Sequence, residues 1–353
     1  MPRPRRNTRL QDVAVAAGVS VKTVSNVVNG YVHVTPRTRA KVEQALTKLG
    51  YVPNHTARGL RTGRSGVVAL AVPELDVPYF AELTRYIVAA AAAHGWTVLV
   101  DQTDAQLERE QLVAQGIRGG LIDGIIFSPL ALSLEELGKR RDTTPMVLLG
   151  ERATAGPCDH VGIDNVSAAS DAVLHLVDIG RRRIAAIGAQ PRGMMTSELR
   201  MRGYRAGLRR AGLPFDRALV GRTHLFHRVD GAEAMRKLLS LPDPPDGVVC
   251  FNDLLALGAV RVLHEFGVRA PDDVAIVGFD DIEEGRYSVP SLTTIAPDKE
   301  QIAQVAVSLL ADRIAGSRAA PKLVHADYHL EIRESTSPST TRKRRPRSVA
   351  RSR

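Results

Sequence analysis

The run Leu10-Gln11-Asp12-Val13-Ala14-Val15-Ala16-Ala17-Gly18-Val19-Ser20-Val21-Lys22-Thr23-Val24-Ser25-Asn26-Val27-Val28-Asn29-Gly30 decides how this chain begins to fold. It calls for two short helices meeting at a sharp angle. Thr8 is placed to cap the first, with Gln11 three residues on completing a capping-box pattern. Gly18 supplies the backbone freedom of the turn. Ser20 is placed to cap the second helix, in which Val24, Val27 and Val28 form one apolar stripe. Val21, Lys22, Ser25 and Asn26 are left outward and near its N-terminal end, where a recognition helix meets base edges. Downstream, Thr35-Pro36 gives a cap followed by proline at the first helical position. A third helix then runs through Ala40, Val42, Ala45, Leu46 and Leu49 and stops at Gly50. Residues 54–63, with Gly59 inside, make a poor isolated helix, as expected of a hinge that orders only on DNA.

Charge is segregated in the same sense. Residues 1–66 hold twelve Lys and Arg against two acids, and residues 335–353 hold seven against none. The 268 residues between carry 29 basic and 36 acidic groups, so two basic ends flank an acidic body. Such a balance suits phosphate contact through the N-terminal module. Cys158 and Cys250 are the two cysteines, without metal-ligand spacing, so a disulfide scaffold is excluded and a reducing cytoplasm is expected. No apolar stretch of the kind needed for a secretory signal or a membrane span is seen.

From Val67 the pattern turns to short apolar runs alternating with helical segments. Strands are expected at Val67–Val72, Thr97–Asp101, Gly124–Ser128, Met146–Gly150, Ile184–Gly188, Gly247–Cys250 and Val274–Gly278. The helices between them are expected at Phe80–His94, Ala105–Gly119, Ser133–Arg141, Ser167–Gly180, Glu198–Ala211, Gly231–Leu239 and Leu254–Phe266. Alternation of this kind calls for parallel sheets covered on both faces, here two doubly wound lobes with a cleft between them. Ligands of such sheets sit beyond the carboxyl ends of the strands. Asp280 and Asn252 stand at two such ends, and a carboxylate and an amide bond sugar hydroxyls well. Tyr79 or Phe80, opening the first helix, offers a ring for the apolar face of a pyranose. Asp76 and Asp164 are weaker polar candidates. No Gly-x-Gly-x-x-Gly follows the first strand, and neither a Walker loop nor Gly-x-Ser-x-Gly occurs, which argues against an enzyme.

These residues closely resemble the lactose-repressor/galactose-repressor (LacI/GalR) family of bacterial transcription regulators. The resemblance runs from about Leu10 to Arg333 and rests on an ordered set of motifs. They are Asp12-Val13-Ala14, Gly18-Val19-Ser20, Thr23-Val24-Ser25, Asn29-Gly30, Gly50-Tyr51-Val52-Pro53-Asn54, Ala57-Arg58, Asn252-Asp253, Val277-Gly278-Phe279-Asp280-Asp281 and Pro290-Ser291-Leu292-Thr293-Thr294-Ile295.

The resemblance implies an all-α helix-turn-helix DNA-binding domain followed by an α/β effector domain like the periplasmic binding proteins, with two doubly wound parallel-sheet lobes. The expected layout is 1–53 for the DNA domain, 54–65 for the hinge, 66–334 for the body and 335–353 for a disordered basic tail. Lobe 1 is expected at about 66–165 and 296–323, and lobe 2 at about 166–295 and 324–334. A homodimer on double-stranded operator DNA is implied, without cofactor or metal, and without a membrane partner. The tail has no leucine heptads for a tetramer. Leu60 takes the place of an apolar minor-groove wedge. Base reading falls to Val21, Lys22 and Asn26: Lys22 to guanine or phosphate, Asn26 to adenine or phosphate. Many members carry arginine at the position of Asn26, which bears on the operator read. Thr23, Ser25 and Asn29 become backbone anchors or caps, and Arg58 and Arg61 contact phosphate. In the cleft, Arg200 matches the family arginine that bonds effector oxygens, and Phe226 a frequent stacking ring. Glu151 is one residue away from an aspartate of some sugar-binding members. Lys299, where certain relatives have an aromatic, implies either an anionic effector or a surface lysine. The expected effector is a carbohydrate, with nucleobases and sugar phosphates behind it, acting as an inducer that releases a repressor.

Overall fold

The computed structural model describes residues 8–28, 31, 33–51, 64–116, 121–150, 156–191 and 193–337. The chain forms two compact units, Met1–Ser65 and Gly66–Arg353. In the first, α1 (Leu10–Ala17), α2 (Val21–Val28) and α3 (Pro36–Leu49) close on a small core of Val13, Ala14, Val24, Val27, Val42 and Ala45. Gly18 takes the left-handed conformation (φ 64°) between α1 and α2. Ser20 accepts the Thr23 N–H at 3.1 Å, and Thr35 accepts that of Thr38 at 3.4 Å, so both expected caps are present. The cap expected at Thr8 is not. Its hydroxyl donates to the Leu49 carbonyl at 3.0 Å, tying the start of α1 to the end of α3. The Asp12 carboxylate covers the helix start instead, accepting the Arg9 N–H at 2.7 Å.

The second unit carries two six-stranded sheets. The first lobe begins with β1 (Val67–Val72), α4 (Pro78–Ala93), β2 (Thr97–Gln102), α5 (Leu107–Ala114) and β3 (Gly124–Phe127). It continues with α6 (Leu134–Gly138), β4 (Met146–Leu149) and β5 (Asp159–Gly162). The second lobe follows with α7 (Asn165–Asp178), β6 (Ile184–Ala189), α8 (Met195–Arg210), β7 (Val220–Arg222), α9 (Arg228–Leu239) and β8 (Gly247–Cys250). After these come α10 (Asp253–Glu265), β9 (Ala275–Phe279), α11 (Glu283–Tyr287) and β10 (Thr293–Pro297). The chain then returns to the first lobe for α12 (Lys299–Ile314) and β11 (Leu323–His325), and to the second for β12 (Tyr328–Glu331). The orders are β11-β5-β4-β3-β1-β2 and β12-β10-β9-β8-β6-β7. Every pairing is parallel except β12 on β10. Strands β3, β4, β8 and β9 are buried along their whole length, as central strands covered on both faces must be.

Three departures from the expected layout have clear causes. Helix α12 is absent from the sequence-based expectation, although Ile302, Ala303, Ala306, Val307 and Leu310 repeat at helical spacing and are buried against the first lobe. Strand β11 belongs to the first sheet, so the last crossing lies after His325 and not at 323. Ser335 and Thr336, assigned by composition to the disordered tail, are buried. Ser335 donates to Ser291, and its carbonyl accepts the Ile276 N–H at 3.0 Å; Thr336 bonds the hydroxyl of Thr293 and the ring of His175. A Ser/Thr-rich segment reads as solvent-loving until a neighbouring strand offers it a ladder.

Candidate functional site

Six of the cleft candidates meet in one cavity. Between the lobes lies a space of about 470 Å³ lined by Tyr79, Phe80, Arg200, Phe226, Asn252 and Asp280. Tyr79 and Phe80 open α4 and pack edge to face with centroids 5.3 Å apart. From α8, the buried Arg200 guanidinium donates to Asn165 Oδ1 at 2.7 Å and to the Phe251 carbonyl. Its remaining nitrogen lies 3.9 Å from the Asp280 carboxylate, and its plane covers the Phe279 ring at 4.2 Å. These bonds hold a planar, always-charged donor in a fixed pose.

Asp280 and Asp281 follow β9 with φ of 103° and 47°. Consecutive left-handed residues with side chains cost roughly 1–3 kcal/mol each and persist where their surroundings over-determine them. Lys299 does much of that. Its ammonium donates to the Asp280 carbonyl at 2.7 Å and the Asp281 carbonyl at 3.0 Å, and pairs with Glu82 of the first lobe at 2.5 Å. Lys299 is therefore neither a surface lysine nor a cavity-lining cation. It is buried and holds the turn that carries Asp280. Asp281 is clamped by Arg286 and Arg333; burial raises its pKa, and the two guanidiniums more than reverse that, leaving the carboxyl below the ordinary range. Below them, burial and the charge of Asp280 push the Asp253 carboxyl well above the ordinary range. Asp253 accepts the Ile282 N–H at 3.0 Å and the Thr294 hydroxyl at 2.7 Å.

Asn252 lines the cavity while capping α10: its Oδ1 accepts the Leu255 N–H and its Nδ2 donates to the Phe226 carbonyl, both at 2.9 Å. Asp164 is a cap for α7, accepting from Val166, Ser167 and the Ser167 hydroxyl, and is not part of the cavity wall. Asp76 is exposed and outside that wall. Glu151 lies outside the described residues.

On the helical unit, α2 buries Val24 and Val27 and leaves Val21 and Lys22 exposed, with Thr23, Ser25 and Asn26 half-buried. The Thr23 hydroxyl sits 2.9 Å from that of Ser20, at the helix start. Asn29, Arg58, Leu60 and Arg61 fall outside the described residues.

Residues 9–54 match the model for bacterial regulatory proteins of the lacI family, and residues 173–336 that for a periplasmic binding protein-like domain. The HTH-type transcriptional repressor CytR of Escherichia coli is 35% identical over 331 residues, covering 93% of this chain and 96% of that protein. The chain belongs to the lacI family of bacterial regulatory proteins. Among solved structures, the lac repressor dimer bound to operator and the anti-inducer ONPF superimposes with a TM-score of 0.83 at 27% identity, covering 94% of this chain and 99% of that one. The transcriptional regulator CelR in complex with cellobiose gives 0.68 at 33%, covering 93% and 99%. This chain is thus a DNA-binding transcriptional regulator of a non-enzymatic family. Among the described residues no helix is long and apolar enough to cross a membrane.

As a family member it also holds cavity residues that sequence reasoning missed. Glu74 and His227 line it from opposite lobes and touch each other, Oε2 to Nε2 at 2.8 Å. Gln190 and Thr196 add polar groups from the second lobe, and every residue from Ser128 to Leu134 adds wall from the first. Glu74 sits just past the carboxyl end of β1, a position the strand-end rule would have flagged.

Proposed function

We propose that this regulator is a homodimeric repressor that leaves its operator when a small polyhydroxylated effector, a carbohydrate in the first instance, fills the interlobe cavity. One observation carries the reading: the fixed guanidinium of Arg200, from α8, and the Asp280 carboxylate, at a strand end, line one cavity with the rings of Tyr79, Phe80 and Phe226. Paired polar groups suit hydroxyls, and rings suit the hydrocarbon face of a sugar. The cellobiose bound to CelR supports the carbohydrate class. Lys299, spent on Glu82 and two carbonyls, adds no charge for a phosphate, which weighs against a sugar phosphate.

On DNA, Val21, Lys22 and Asn26 read bases, while Thr23, Ser25 and Asn29 anchor the backbone. Arg58 and Arg61 meet phosphate, and Leu60 wedges a minor-groove step between the paired hinges. Dimerisation is supported by β2, an edge strand whose Leu99 and Val100 are exposed. The protein acts in the cytoplasm. Effector alters DNA affinity by favouring one arrangement of the lobes over another, to the extent that it binds the two unequally. The test is a panel of cellobiose, ribose, adenosine and glucose 6-phosphate. A binder raises the melting temperature of the body and weakens retardation of the DNA flanking the gene. Tighter retardation with a binder makes the protein co-repressed, and no selective retardation of that DNA overturns the operator reading.

A further inference from the structure

Part of the wall supplied by the first lobe is a loop, and loops hold shape only where their backbone groups are satisfied. Residues 128–133 join β3 to α6 and continue the cavity wall into Leu134. Three successive amides in this loop converge on one side chain. Leu130 N–H donates to Glu110 Oε1 at 2.8 Å, while Ala131 and Leu132 donate to Oε2 at 2.9 and 2.6 Å. Glu110 comes from α5, is fully buried, and takes no part in the cavity wall. A buried carboxylate is costly unless it is matched, and consecutive N–H groups curled around an anion are such a match.

Between Ser128 and Ser133, what the loop turns to the cavity is hydrocarbon. Pro129, Leu130, Leu132 and Leu134 face the cavity that Arg200 and Asp280 reach from the other lobe. We infer that Glu110 is a positioning residue that acts through the backbone of 130–132, setting the apolar wall that selects the effector by its non-hydroxylated face. This rests on the cavity being the effector site. An amide at position 110 keeps one acceptor oxygen and turns its NH2 group toward at least one of the three N–H groups.

The test compares wild type, Glu110→Gln and Glu110→Asp. Each is titrated with the same four compounds, well below its melting temperature. Glu110→Gln is expected to weaken the compound that wild type binds best by tenfold or more and to compress the preference among the four. Glu110→Asp, which keeps the carboxylate, is expected to recover part of that preference. A purely structural role lowers the melting temperature and leaves both dissociation constants and preference unchanged, and that result overturns the inference. A wild type that answers to none of the panel overturns the cleft reading and this inference with it. Should Glu110→Gln not fold, hydrogen exchange on ligand-free wild type decides. Amides 130–132 are expected to be protected like those of β3, and exchange at the rate of exposed loops removes the basis of the claim.

Discussion

The two walls of the cleft are built on different principles. The second lobe presents polar groups that are already spoken for: Arg200 is held by Asn165 and Phe251, Asn252 caps α10, and Asp280 stands on a turn secured by Lys299. The first lobe presents mainly hydrocarbon, from the rings that open α4 and from the loop gathered around Glu110, with Glu74, Ser128 and Ser133 as its polar members. Preorganised polar groups set the chemical class of ligand, because they have no orientational freedom left to lose. An apolar wall tunes shape, since one methylene is worth only about 1–3 kcal/mol. Lys299 and Glu74 both reach across from the first lobe, Lys299 to the Asp280 and Asp281 carbonyls and Glu74 to His227, and the two links differ in kind. The first is largely buried and is completed by Glu82 of the same lobe; the second is half-exposed.

Breaking the polar wall is expected to have the largest effect. Arg200→Leu removes the guanidinium and strands the Phe251 carbonyl and Asp280. We expect at least a hundredfold loss of effector affinity by calorimetry, with operator retardation by the ligand-free protein preserved. An unchanged dissociation constant would place the ligand elsewhere. The buried link comes next. Lys299→Met leaves Glu82 and two carbonyls without their ammonium, and truncating one partner of a buried pair costs about 3 kcal/mol. Denaturant unfolding of the body reads this, and a loss under about 1 kcal/mol would show water replacing the ammonium.

The acid cluster sharpens the comparison through pH. Asp281 has a depressed pKa in the folded protein, so its contribution to stability is present above the ordinary carboxylate range. That contribution disappears as pH falls through the depressed value. The melting temperatures of wild type and Asp281→Asn should therefore differ most near neutrality and converge in acid. Asp253 runs the other way: its raised pKa makes ionisation costly as pH rises, so Asp253→Asn should gain on wild type toward neutral pH. The smallest effect is expected at the exposed link. His227→Gln should change body stability by less than about 1 kcal/mol, as half-exposed pairs do, and shift effector affinity by no more than severalfold.

The fold was largely legible because burial leaves a period. Strands β1, β3, β4, β6, β8 and β9 show as apolar runs, and the caps at Ser20 and Thr35 show as short polar residues ahead of helices. Strands β5, β7, β10, β11 and β12 did not show, being three to five residues long and carrying Asp159, Arg222, Thr293, His325 or His329 among their few positions. Thr8 was misread because the pattern of a capping box is local, whereas its true partner, Leu49, is 41 residues away.

The site was legible at strand ends and illegible in its supports. Asp280, Asn252, Tyr79 and Phe80 follow from where strands stop and helices start, and the family motifs add Arg200 and Phe226. Local residue order thus determined the helix-turn-helix, the alternation that demands two parallel sheets, and the family. Tertiary structure alone decided which polar groups face ligand and which hold the frame: Lys299 to a strained turn, Asp164 to a helix start, Ser335 to a strand, and Glu110 to a loop. Periodicity records only whether a position is buried. The identity of a buried group's partner depends on chain segments that pack together from far apart in sequence, as Glu74 and His227 do across 153 residues.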